Sequence, residues 1–269
     1  MVSLCQQADA SCGACCGIYN RDDLSREAVR RDLRRNTEIA ARTPRTPEAF
    51  RGAAAARARE LPAPLFPSVR VCPLAGFINR DEARVGCLAH PQVTGGVDLR
   101  ACGVYDALTC DAFLCPSHAL LGEEDAGLAA LAAGDFYLYG LVVTDAPFLH
   151  AVLEGLAELA GRRPVPSDLD QAPFRRALHA LLALKEDLGA GSEGLFGAFR
   201  PARGGEPTPA GAAGGSPAER ILEALGADPR SGNDGEELAV EVERRLGAAV
   251  AALARAGPGW PRAQATRAD

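Results

Sequence analysis

At 269 residues with a net charge of −6, the chain can form one large domain or two modest ones, with a core that does not depend on disulfides. Hydrophobic residues make up 47% and aromatics 5%, so that core must be mainly Leu, Ala and Val. Through Cys115 there are 15 basic residues against 13 acidic, and beyond it 14 against 22, so neither half has the basic excess of a nucleic-acid binder.

Residues 1–10 lack the basic start and apolar run of a secretory signal. Asp145, Pro147 and His150 interrupt the longest apolar stretch, which leaves it short of the roughly 18–20 residues that span a bilayer. The expectation is a cytoplasmic protein with neither nucleic-acid nor membrane partner. Thiols stay reduced in that compartment, where a cysteine cluster reads as metal-binding or catalytic.

In chain order, residues 22–42 read as an amphipathic helix. Leu24, Ala28, Leu33, Ile39 and Ala40 approximate its apolar face. Arg26, Arg30, Arg31, Arg34 and Arg35 mark a solvated side balanced in part by Glu27 and Asp32. Thr46 as N-cap and Pro47 at the first position open a second helix running to about residue 60. Residues 72–118 are loop-rich, punctuated by Gly and Pro. Four further helices are expected at 123–133, 135–143, 147–161 and 168–188, with Thr144 or Asp145 capping the third. Leu149, Val152, Leu153, Leu156 and Leu159 would be buried on the third, and Phe174, Leu178, Leu181, Leu182 and Leu188 on the fourth. Lys185, the only lysine, reads as surface. Two more helices follow at 218–225 and 235–256.

The fold class predicted is mainly α, with a loop-rich, metal-stapled N-terminal half packed on a helical layer. Its parts are a cysteine-rich region (1–120), the helical layer (121–188), a flexible Gly/Pro/Ala-rich linker (189–217), C-terminal helices (218–256) and a tail (257–269).

All nine cysteines lie at or before Cys115, and the remaining 154 residues have none. Core thiols would be scattered through the helices, so this clustering points to metal. Cys12-x2-Cys15 has the separation that turns two thiolates toward one ion, with Gly13 easing the turn. Side chains of neighbouring residues diverge, so Cys15 and Cys16 suit two metals or adjacent sites of a cluster. Cys87-x2-His90 and Cys115-x2-His118 repeat the short spacing; each histidine reads equally as a ligand, a hydrogen-bond donor beside one, or a loop residue. His150 and His179 sit on predicted helices and read as structural. Cys72 and Cys115 precede proline, a pairing that recurs at iron–sulfur ligands, although zinc uses similar thiolate sets.

Cys12-Gly13-Ala14-Cys15-Cys16, then Cys72-Pro73-Leu74, then Gly86-Cys87-Leu88-Ala89-His90-Pro91, and the closing Cys102, Cys110 and Cys115 resemble the YkgJ-type cysteine-cluster family of zinc- or iron-chelating proteins. The resemblance covers roughly residues 5–118. It implies Cys12, Cys15, Cys16, Cys72, Cys87, Cys102, Cys110 and Cys115 as ligands, with Cys5 as the extra cysteine. Phosphate-binding, nucleophile-elbow, zincin and dinucleotide signatures are missing from the sequence. Two classes of function stay open. One is an iron–sulfur or zinc/iron centre with a redox or substrate-modifying role and a redox or other protein partner. The other is a zinc-stapled binding module without catalysis.

Overall fold

The computed structural model describes residues 4–7, 10–64, 69–187, 199–200, 208–209, 215–226 and 233–256, and over these the chain is mainly helical. Helix α1 (Arg26–Arg42) starts four residues later than predicted, because Ser25 accepts the amide of Ala28 and becomes the cap. Helix α2 (Pro47–Ala58) starts where predicted, with the Thr46 hydroxyl accepting from Ala49.

The 72–118 stretch contains an antiparallel hairpin that its sequence does not announce. Strand β1 (Ala75–Phe77) pairs with β2 (Val85–Cys87), Ala75 opposite Cys87; three residues are too few for alternation to register. Short helices α3 (Pro91–Thr94), α4 (Ala107–Ala112) and α5 (Ser117–Leu120) and a 3-10 turn at Arg100–Cys102 complete the stretch.

The helical layer is α6 (Glu123–Ala133), α7 (Phe136–Val143), α8 (Ala146–Ala160), α9 (Ala172–Leu182) and α10 (Leu184–Asp187). Asp135 caps α7 and Asp145 caps α8. The helix predicted over 168–188 is instead a 3-10 turn (Pro166–Asp170) followed by α9 and α10. Pro173 has no amide hydrogen and fits only a first turn, which fixes the start of α9. Leu159, expected inside, is 51% exposed, whereas Leu149, Val152, Leu153 and Leu156 are buried. Leu188 lies outside the described residues.

Strands β3 (Phe199–Arg200) and β4 (Thr208–Pro209) pair antiparallel within the expected linker; most of that linker, and the tail, lie outside the described residues. Helix α11 (Pro217–Ala224) packs on α8, and α12 (Asn233–Ala256) on α8 and α9. Ile221, Leu222, Val242, Leu246 and Leu253 thereby join the large core built by α6 to α9.

Every residue of α7 is buried, and this helix joins the two halves. Tyr139 donates to the carbonyl of Leu4 at 2.6 Å, Tyr137 donates to that of Leu24, and Tyr19 donates to that of Phe136 at 3.0 Å. Phe136, Tyr137 and Leu141 form a second core with Ile18, Tyr19, Val29, Leu33, Phe77 and Val85. Tyr19 fits only because position 140 is glycine: a Cβ there would lie 2.0 Å from its hydroxyl oxygen. Among the described residues no single helix is long and apolar enough to cross a membrane; α7 and α8 pass only as a pair, bent by 89°.

Two charge readings need correction. The α1 arginines do not rely on Glu27. Arg26 pairs with Asp135 and Glu186, and Arg30 and Arg34 pair with Glu82, so this helix is clamped to α7, α10 and the hairpin loop. Asp32 instead pairs with buried Arg21 and Arg57. Lys185 is not on the surface. Its side chain is 1% exposed and its Nζ lies 2.6 Å from the equally buried Asp145 Oδ2. A helix-context reading missed this because the carboxylate that compensates the charge is 40 residues away.

Lys185→Met should destabilise the protein by about 3–5 kcal/mol, because it leaves the Asp145 carboxylate buried and unpaired; a surface lysine would change stability by less than about 0.5 kcal/mol. Gly140→Ala should also lower the denaturant midpoint. Overpacking against Tyr19 costs about 1–3 kcal/mol, which outweighs the roughly 1 kcal/mol that alanine ordinarily gains over glycine in a helix.

Candidate metal centre

The Cys12–Cys16 motif folds into a 3-10 turn, Ala14–Cys16, stopped by Gly17 at φ 75°. A Cβ at Gly17 would sit 2.4 Å from the carbonyl oxygen of Arg70, so glycine is required both by the left-handed backbone and by the passing chain. Beyond that crossing, the amide of Cys72 donates to the carbonyl of Cys16 at 2.8 Å. A 3-10 turn rotates by about 120° per residue, so the two adjacent thiols diverge. Cys15 packs with Cys12 against the large helical core, and Cys16 packs with Cys12 against the second core.

On the Cys15 side lie Cys5, Cys12, Cys115 and His118. The amide of Cys12 donates to the carbonyl of Cys5 at 2.9 Å, and that of His118 to Cys115 at 2.9 Å. The Cys15 thiol hydrogen-bonds those of Cys115 and Cys5, and His118 Nε2 lies 3.6 Å from Cys5 Sγ. The Cys115 thiol is held below its ordinary pKa, first by the hydrogen bond from Cys15 and then by Ser117, while Cys15 is pushed up as the partner that keeps its proton. Burial pushes the Cys12 thiol far up.

Cys72, Cys87 and Cys110 lie within electrostatic range of Cys16. Burial raises the Cys16 thiol first, and these three and Cys12 raise it further. The hairpin brings Cys87 opposite Ala75, and Leu88 bonds back to Leu74 at 2.8 Å. Burial pushes Cys87 up to about 11. Ser11 Oγ accepts the amide of Val85 at 2.7 Å, and Gln6 Nε2 donates to the carbonyl of Val85 at 2.9 Å. The loop carrying Cys5 and Cys12 is therefore bonded to the strand carrying Cys87.

Among the described residues no disulfide joins any of the nine cysteines. Among the described residues no group of three or more His, Cys, Asp or Glu side chains is gathered so as to hold a metal ion as it stands. The donor set nevertheless suits one in kind. The amide of Ala14 donates to the Cys12 sulfur at 3.4 Å. A donor of this kind favours the thiolate, which is the form that binds metal.

Cys102 lies in a third core with Phe50, Ala54, Leu74, Ala89 and Leu99, and its thiol donates to the carbonyl of Pro47 at 3.5 Å. His90 caps α3, its Nδ1 accepting from Gln92 at 3.2 Å. His179 donates from Nδ1 to the carbonyl of Ala132 at 2.9 Å, and half-buried His150 lies on α8. The contacts of Cys5 had no local signal beyond its closeness to Cys12; they depend on the Gln6–Ser11 bridge that folds this loop back on itself.

No family model, curated protein or solved structure matches the chain.

Alkylating the reduced, metal-free protein at pH 8 should label exposed Cys110 first, with Cys12 and Cys16 last because burial both shields them and holds them protonated. Peptide mass spectrometry over a time course measures the order. Gly17→Ala should erase the protection of Cys16, since it displaces the turn from the chain at residues 70–72.

Proposed function

We propose that the protein binds metal through its N-terminal thiols, as an iron–sulfur or zinc/iron centre that ties the Cys12–Cys16 turn to the loops between Cys72 and Cys115. The observation that carries this reading is the gathering of soft donors beside the Cys12–Cys16 turn, where His118 Nε2 lies 3.6 Å from Cys5 Sγ and Cys115 is buried in the same core against which Cys12 and Cys15 pack. The resemblance to the cysteine-cluster family points the same way.

The ligands in this reading are Cys12, Cys15, Cys16, Cys72, Cys87, Cys110 and Cys115, with Cys5 taking the place that the resemblance gives to Cys102. That yields four thiols on either side of the Cys15–Cys16 bond, a number that suits tetrahedral zinc or a four-cysteine iron–sulfur cluster. Bound metal would supply folding energy to a stretch with little regular structure and, if iron, a redox function. The enclosed position of the Cys15 side favours the second reading for that side, a zinc staple without catalysis.

Protein purified without oxygen should contain more than one metal ion per chain by elemental analysis. A brown colour that bleaches on reduction identifies iron–sulfur, and a colourless protein with stoichiometric zinc identifies the staple. Removing the metal should lower the melting temperature. Metal-free protein that neither takes up zinc or ferrous iron nor gains stability from them contradicts the proposal.

A further inference from the structure

The arm that carries α4 is the least covered part of the N-terminal half. No residue from 106 to 114 is buried, and Leu108, Phe113 and Leu114 are 77%, 53% and 65% exposed. Single exposed apolar residues are ordinary, but three large ones this close in the chain form a patch of the kind that marks an interaction surface. The patch is also acidic. Asp111 stands one turn from Leu108, Asp106 caps α4, and Glu123 and Glu124 are exposed at the start of α6. From residue 101 to 161 the sequence holds nine acidic residues and neither lysine nor arginine.

The complementary surface lies on the same chain. Residues 26–60, which span α1 and α2, hold ten arginines against five acidic residues. Between these two helices runs a mostly apolar, partly open groove of about 220 Å³, lined by residues that include Ile39, Ala40, Phe50, Ala53 and Pro73. Arg35, Ile39 and Arg42 are spaced i, i+4 and i+7 on α1, so the two arginines flank Ile39 along one face. Both are exposed, whereas Arg57 in the groove is taken up by Asp32 and Glu60. The arm is rooted beside this groove. The 3-10 turn Arg100–Cys102 packs against both α2 and α4, and Cys102 donates to the carbonyl of Pro47, the first residue of α2.

We infer that the arm docks on a second copy of this chain: Leu108, Phe113 and Leu114 of each copy seat against the α1–α2 groove of the other, and the acidic arm meets Arg35 and Arg42. Two like-charged arms would repel if they met each other, whereas arm and groove are complementary in charge. Because arm and groove adjoin, a two-fold axis makes the contact twice, as an isologous dimer requires. One such arm is small beside the roughly 800 Å² per partner of a stable interface, and the second contact doubles what is buried. Dimerisation of this kind needs no bound metal.

Full-length protein in reducing buffer should sediment as a monomer–dimer equilibrium over roughly 1–100 μM, the range of weak specific contacts. Raising the salt should shift it toward monomer, since exposed charges are screened. Two double variants probe the two surfaces, each first checked for the parent's circular dichroism. Leu108→Ser with Phe113→Ser removes anchors of the arm, and Arg35→Glu with Arg42→Glu reverses the rim of the groove. Each alone should be monomeric where the parent is dimeric. Mixed in equal amounts, the two should form a heterodimer weaker than the parent dimer, because one intact arm then meets one intact groove. A parent that stays monomeric leaves the arm for a different partner and overturns the inference. So does a dimer that either variant leaves intact, or a mixture that forms no heterodimer.

Discussion

The structure of the N-terminal half depends on one local constraint: two adjacent cysteines in a tight turn must point apart. Gly17 fixes where that turn stops, because its positive φ and the Arg70 carbonyl 2.4 Å from where a Cβ would lie admit nothing larger. From there, Cys15 packs against the large helical core and Cys16 against the second. The turn therefore sits where two cores meet; Cys12 touches both, the large core adds Cys115, and Cys72 and Cys87 pack against the third core.

The helical layer provides the frame for this turn. Helix α7 is buried along its whole length, and its backbone and tyrosines take up polar groups from the N-terminal segment at Leu4, Tyr19 and Leu24. Buried hydroxyls need partners, so these bonds fix the register of the thiol loop against the helices. The clamps from Arg26 to Asp135 and Glu186 act in the same sense at the rim of this contact. Movement of α7 would thus be felt by both thiol groups, through Leu4 next to Cys5 and through Tyr19 close to Cys16.

Local chemistry made much of the fold legible in the sequence. Thr46-Pro47 announces a helix start, the helix expected at 135–143 is present as Phe136–Val143, and of Thr144 and Asp145 it is Asp145 that caps α8. The divergence of Cys15 and Cys16 was also readable, since it follows from backbone geometry alone. Long-range partners decide what was not readable. Lys185 and Asp145 are buried together across 40 positions, Glu82 draws in two arginines of α1, and the β1–β2 hairpin is too short to leave a pattern. Cys5 and Cys102 illustrate the same limit. The resemblance makes Cys102 a ligand and Cys5 the extra cysteine, yet Cys5 meets Cys15 and His118, whereas Cys102 bonds to the backbone of Pro47.

The central proposal is that the Cys15–Cys16 bond divides the thiols into two groups, each of which would bind metal. Cadmium-113 NMR of the cadmium-loaded protein tests it most directly, since each sulfur-bound ion gives its own resonance. The account predicts two resonances in the sulfur-rich range, with Cys15→Ser shifting or removing one and Cys16→Ser the other. A single resonance, or two that both substitutions perturb alike, would contradict it.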